Sequence, residues 1–196
     1  MDQANQKNQA DQKGRTVEEE LLGTGLRVRF YPDPVLKKPA EPVTDFDGEL
    51  AAFVEELLAT MRISDGVGLA APQVGVLKKI AVVEYEGSSY VLINPRLIEQ
   101  GGEQEGEEGC LSFPGIYASV KRPEWARIEA QDERGESRVQ RVEGFLARAF
   151  LHEMDHLEGR LFIDRLSPIK RGMIRGKMKK HPPEPRRAAA AKGDRG

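Results

Sequence analysis

Residues 152–156 read His-Glu-Met-Asp-His, in a chain with one further His and a single Cys. Two His residues four apart lie on one face of a helix, about 40° apart around the axis at 3.6 residues per turn. Both imidazoles can then reach one metal ion, while Glu153, at about 100°, flanks the same face. A metal so held acidifies a bound water, and a neighbouring carboxylate can take the proton. The motif points to a metal-dependent hydrolase. The alternative is a chance pair of imidazoles on a buried helix, but two buried His side chains would still need partners.

Two His residues leave a third ligand to be found. A downstream Glu, as in zinc peptidases of the thermolysin type, has no convincing match. Glu158 is two residues beyond His156, Asp164 follows, and Glu184 and Asp194 come near the C-terminus. A third His soon after Gly159 is ruled out by Leu161-Phe-Ile163. The ligand must come from upstream, and Cys110, in the small-residue stretch Glu108-Gly-Cys-Leu-Ser112, is the best candidate. As a thiolate it completes a Cys-His-His set with one position open for water. The alternative is an inert buried Cys. A hydrolase also needs donors aimed at the developing oxyanion. Gly66-Val-Gly-Leu-Ala-Ala-Pro-Gln73 offers a tight backbone and an amide side chain at its end. Its glycine spacing does not fit a dinucleotide fingerprint, which also needs a preceding strand.

The element that must carry the two His residues is a helix from about Gly144 to Glu158, ended by Gly159. It is apolar almost all round (Phe145, Leu146, Ala147, Ala149, Phe150, Leu151, Met154, Leu157), and such a helix is buried. Its polar members must face a cavity or each other, because unpaired burial is costly. Upstream, order is expected from about Leu26–Phe30, followed by a turn at Tyr31-Pro-Asp-Pro34. Asp47 is placed to cap a helix over Glu49–Arg62, which Ser64–Gly68 breaks. Val- and Ile-rich strands are predicted at Lys79–Tyr85 and Tyr90–Ile98, joined through a glycine turn. Gly101–Gly109 reads as an acidic, Gly-rich loop, and Trp125–Val142 as a hairpin turning at Glu133–Glu136. Strands followed by a helix indicate α+β, with mixed or antiparallel sheets packed around the buried C-terminal helix.

At 196 residues, 39% of them hydrophobic, the chain can build one domain with a sizeable core. A net charge of −2 gives no global field toward nucleic acid or membrane. Residues 1–24 are polar and read as a disordered extension. Residues 25–168 form the catalytic domain. Residues 169–196 form a basic extension, helical over about Ile169–Lys180 and then disordered. From Arg165 to Gly196 there are 11 Lys and Arg against 2 acids. The start lacks the apolar core of a signal peptide, and no stretch is long enough to span a bilayer. One Cys cannot form an intrachain disulfide, so a reducing cytoplasm is expected.

Gly66–Gln73, Glu108–Ser112 and His152–Gly159, in this order, closely resemble the three signature motifs of bacterial peptide deformylases. Tyr31–Leu36 and Ile93-Asn-Pro95 also look like that family, and the resemblance runs over about residues 26–166. It implies that Cys110, His152 and His156 hold the metal and that Glu153 is the general base. It implies an oxyanion hole made by the Gln73 side-chain amide and the Leu111 backbone N–H. Backbone around Val67 and Gly68 would hold the peptide, and Val67, Tyr117 and Phe145 would line an apolar pocket for Met. Two readings of Glu108 stand, a brace for the Cys110 loop or a substrate contact. Two readings also stand for Arg148, a guanidinium in the substrate pocket or a structural ion pair. Asp155 is expected in an ion pair with Arg122.

The implied reaction removes the N-terminal formyl group from formyl-Met nascent polypeptides and releases formate. The implied metal is Fe2+, with Zn2+, Co2+ or Ni2+ as substitutes, and the Cys-His-His set suits several of these. The basic Arg165–Lys180 segment reads either as a ribosome-docking surface or as a solvated tail. A monomer with no membrane partner is expected. Two other readings compete: a peptidase cutting internal bonds, and a non-enzymatic relative that only binds. The first lacks its downstream Glu ligand, and the second has no use for Glu153 and Gln73.

Overall fold

The computed structural model describes residues 25–180. The disorder expected of residues 1–24, and of the chain beyond residue 180, lies outside the described residues. Helix α1, Gly48–Ile63, begins where Asp47 accepts hydrogen bonds from the Glu49 and Leu50 backbone N–H groups, both at 3.0 Å. Those are two of the donors that a helix start leaves unpaired. Its stripe of Leu50, Val54, Leu57, Leu58 and Met61 is buried. Strands β1 (Gly68–Ala70), β2 (Ile80–Tyr85), β3 (Ser88–Gly101), β6 (Trp125–Gln131) and β7 (Ser137–Glu143) form one antiparallel sheet in the order β1-β2-β3-β6-β7. Strand β1 is therefore an edge. Glu86 and Gly87, both with positive φ (49° and 76°), make the tight β2–β3 turn, whose twist suits a two-residue hairpin.

Strand β2 shows why its sequence is apolar without alternation. Ile80 and Val82 pack on the α1 side, whereas Ala81 and Val83 pack on the other. On that second face lies α2, Gly144–Leu157, with Ala147, Phe150, Leu151 and Leu157 against Ala81, Val83, Leu92 and Ile128. The expected buried helix is thus packed on the sheet, and the fold is α+β.

The segment expected as a loop over Gly101–Gly109 is a correction. Gln104–Gly109 is strand β4, paired with β5, Tyr117–Arg122, in a separate two-stranded sheet. The period-2 pattern is present, but the inward positions hold Gly106 and Glu108 while Glu105 and Glu107 point outward. The strand carries no hydrophobic alternation, because the inward carboxylate is neutralised by Arg side chains instead of being replaced by an apolar residue.

Beneath this hairpin a third apolar cluster joins Leu36, Phe113, Ile116 and Val120 to Leu161, Phe162, Ile163, Leu166 and Met178. Met178 belongs to α3, Pro168–Lys180, so the C-terminal helix is packed on the domain. Its Arg171 and Arg175 each lie 3.7 Å from Asp164, while Ile169 and Met173 face solvent at 78% and 71% exposure. No described helix is long and apolar enough to cross a membrane.

Candidate active site

Helix α2 stops at Gly159, whose φ is +67° and whose Cα abuts the Lys37 carbonyl; a Cβ there would lie 2.7 Å from that oxygen. Within the helix, His152 and His156 point the same way, with their Nε2 atoms 3.3 Å apart. Strand β4 delivers Cys110 to them, its Sγ 3.3 Å from His156 Nε2. All three ligand atoms lie within 4.8 Å of one another, and both imidazoles are buried. Metal–nitrogen bonds near 2.05 Å and a metal–sulfur bond near 2.3 Å, in tetrahedral geometry, require about 3.3 Å between nitrogens and about 3.5 Å between nitrogen and sulfur. The His152–His156 and Cys110–His156 separations, each 3.3 Å, lie close to these values, so the donor set fits a metal ion.

The electrostatics agree with that fit. Burial holds His156 well below its usual pKa, with the neighbouring His152 adding to the effect. It is then a neutral imidazole with a lone pair to give. Burial acts the same way on His152, but Cys110 and Glu108 outweigh it and push the group up to about 10. A pocket lined by Cys110, Glu108 and Glu153 favours one positive charge, which a metal ion supplies as well as a proton does.

Glu108 is the brace of the site. Its Oε2 lies 3.0 Å from His152 Nδ1 and accepts that proton when Nε2 faces the metal. Arg122 donates to both of its oxygens, Nε to Oε1 at 2.5 Å and Nη2 to Oε2 at 2.8 Å. Burial alone would raise the Glu108 pKa, but the hydrogen bonds from Arg122 and His152 overcome it and hold the group down at about 2. Its partners are His152, Arg122 and Arg148, so it braces the His152 ring and not the Cys110 loop. Arg148 has a similar outcome. Its Nη1 donates to Glu108 Oε1, Val120 O and Gly106 O, and its Nη2 to Gln104 Oε1, at 3.0–3.2 Å. These are the partners of the ion-pair reading, and they hold the guanidinium beneath the β4–β5 hairpin. Asp155 pairs with Arg122 at 2.8 Å, as the sequence suggests.

Glu153 sits beside the three candidate ligands, buried, with its carboxylate against the Cα of Gly68. Its Oε2 has no hydrogen-bond partner among the described residues. Burial is the largest influence on it and raises its pKa to about 7, against the opposing charges of His152 and Arg122. A carboxylate poised near neutrality can both take and return a proton. Gln73 reaches the same site from the 3-10 turn Ala71–Val74 after β1. The Ala70 N–H donates to Gln73 Oε1 at 2.9 Å, which turns the amide NH2 toward Cys110 Sγ (3.5 Å) and Ser112 Oγ (3.2 Å). Leu111 follows Cys110, with its side chain against Gly66.

The exposed apolar residues expected to meet substrate border these elements. Val67 precedes Gly68, Tyr117 is paired across from Gly109, and Phe145 lies two turns before His152 and packs on Tyr85 with ring centroids 5.1 Å apart. Ser112 and the Arg122–Glu108 pair escape the sequence reading. For Arg122 a signal exists: it shares parity with buried Val120 along β5, which turns it inward once the strand is recognised.

A Cys-His-His triad beside a buried, proton-active carboxylate on this α+β frame defines a metal-dependent hydrolase. Known proteins narrow the class. Residues 26–172 match the family model described as Polypeptide deformylase. The peptide deformylase of Thermotoga sp. (strain RQ2) is 46% identical over 153 residues, covering 78% of this chain and 93% of that protein. The crystal structure of a peptide deformylase from Legionella pneumophila has a TM-score of 0.76 at 42% identity, over 79% of this chain and 94% of that one. That of the Thermus thermophilus peptide deformylase has a TM-score of 0.75 at 45% identity, over 79% and 93%. The chain belongs to the polypeptide deformylase family, and it acts as a metal-dependent hydrolase removing the N-formyl group from nascent polypeptides.

Proposed function

We propose that Cys110, His152 and His156 hold Fe2+, that Glu153 is the general base, and that the Gln73 amide and the Leu111 N–H form the oxyanion hole. The observation that carries this is the convergence of three ligand atoms beside the unpartnered Glu153 Oε2. When bound, the metal supplies Lewis acidity at the reacting centre. Glu153 takes the proton of the attacking water and later gives it to the leaving amine. Gln73 Nε2 and Leu111 N–H donate to the oxygen of the formyl group as it becomes negative. Backbone of Val67 and Gly68 holds the peptide, and Val67, Tyr117 and Phe145 pack on the first side chain, which is Met. Glu108 and Arg148 act one layer back, as supports of His152.

Fe2+ is the proposed resident ion, and Zn2+, Co2+ and Ni2+ share the donor preference that would let them substitute. The enzyme is proposed to work as a cytoplasmic monomer, its lone Cys kept reduced. Its basic α3 is proposed to dock on the ribosome. The catalytic domain is proposed to run over residues 25–168, with flanking extensions at 1–24 and 169–196, the second anchored to the domain by Met178 of α3. The test is formate release from a formyl-Met peptide by anaerobically purified, Fe2+-loaded protein, beside an acetyl-Met peptide. Rapid release from the formyl peptide alone is expected. Retained turnover after Cys110→Ala or His156→Ala would overturn the ligand assignment.

A further inference from the structure

An unbroken line of charge-assisted hydrogen bonds crosses the domain from its surface to a metal ligand. At the outer end is Arg165, 36% exposed, in the 3-10 turn Phe162–Arg165 that leads into α3. Its Nε donates to Asp155 Oδ2 at 2.7 Å and its Nη2 to Oδ1 at 2.8 Å. Asp155 Oδ2 also accepts from Arg122 Nη1 at 2.8 Å. Arg122 has a fully buried side chain and grips Glu108 with its other two nitrogens. Glu108 Oε2 meets His152 Nδ1. The outer end opens on a surface cleft of about 390 Å³ lined by Lys121, Asp155, Arg160, Leu161, Asp164 and Arg165, none of them a residue of the metal site.

We infer that Arg165 is a positioning residue for the metal site, acting on His152 through Asp155, Arg122 and Glu108. The inference rests on His152 being a metal ligand. The physical ground is the distribution of partners along the line. Arg122 lies between two carboxylates, and its place is set by the balance of both. Without Arg165, Asp155 Oδ1 keeps, among the described residues, Arg160 alone, at 3.5 Å and 62% exposed. The carboxylate then turns to recover a partner, Arg122 follows it, and Glu108 loses the fixed fork that orients the imidazole. Partners one layer behind a metal ligand set its ring orientation and its basicity, and losing one costs about 10–100-fold in metal affinity. Arg165 acts at a greater remove, so the lower end of that range applies. The chemistry needs a fork: two donors in one plane hold both oxygens of Asp155, as one ammonium cannot.

The experiment is a Co2+ titration of the metal-free, full-length protein under anaerobic conditions, well below its melting temperature. It reads affinity by chelator competition and coordination by the visible spectrum. Arg165→Ala is expected to lower Co2+ affinity about tenfold and to shift the d–d bands. Arg165→Lys should recover part of both. Lys37→Ala, which cuts the neighbouring Lys37–Asp164 pair (3.8 Å), should change neither. Unaltered affinity and spectrum in Arg165→Ala would overturn the inference alone. So would an equal loss in Lys37→Ala, which would mean a general loosening of that corner. A wild-type protein that binds Co2+ with no sulfur-to-cobalt charge-transfer band would overturn the ligand reading, and the inference with it.

Discussion

The Cα of Gly68 lies so near the Glu153 carboxylate that no side chain fits between them: a Cβ would overlap Oε1 and stand 2.8 Å from Cδ. Strand β1 and helix α2 are locked at this contact, and the Glu153 carboxylate is held from one side by bare backbone. Gly68→Ala should push the carboxylate away while leaving Cys110, His152 and His156 in place. A displacement of about 1 Å can cost on the order of 10²-fold in rate. The expected result is such a loss in kcat with normal metal content by elemental analysis. Unchanged kcat would mean that Glu153 has room to adapt.

Glu153→Gln keeps the shape of the side chain and removes its proton chemistry. General-base catalysis contributes about 10²–10⁴-fold, and a loss of that order in kcat is expected, again with metal retained. Loss of metal in this variant would reassign Glu153 from chemistry to holding the site together.

Acid stability should report on Glu108. Its folded pKa is about 2, below the ordinary 4.5. A depressed carboxylate stabilises the fold fully above its unfolded pKa, and that contribution fades as pH falls from 4.5 toward 2. The difference corresponds to about 3 kcal/mol. Metal-free Glu108→Gln should therefore be less stable than wild type by about this amount at neutral pH. The gap should narrow through the acid window, as read from urea midpoints. A gap independent of pH would place the effect in packing, not charge.

Ribosome docking is best tested with point variants, because Met178 of α3 is buried in the third core cluster and truncation would open that core. Lys170, Lys177 and Lys179 are exposed. Replacing each by Ala should weaken ribosome binding. The steepness of its salt dependence should fall by about 1 for each phosphate that a Lys no longer neutralises. An unchanged salt slope in the triple variant would leave α3 a solvated helix.

The legible parts of this fold are those with a periodicity of their own. Asp47 and the stripe of α1, the Val- and Ile-rich core of β2 and β3, and the span of α2 all follow from spacing and caps. Strand β4 does not, because its inward residue is Glu108 and the partners that make burial tolerable, Arg122 and Arg148, lie 14 and 40 residues away. The candidate ligands Cys110, His152 and His156, which the fold brings together, can be read from residue scarcity and spacing. The brace around them cannot, since ion pairing among β4, β5 and α2 leaves no local pattern. Arg148 illustrates the limit: helical geometry turns it toward the site, but only the fold shows that four acceptors already hold it.

Strand β1 closes one side of the five-stranded sheet, so one row of its main-chain groups takes no part in the ladder. Such an edge can accept any extended segment through N–H and C=O groups, which every polypeptide carries whatever its side chains. Beyond the formyl-Met terminus, main chain is the one feature that newly started proteins have in common. An enzyme that must serve all of them gains breadth by reading that shared part. Under the proposed site, selectivity falls on the formyl-Met terminus and tolerance on everything that follows it.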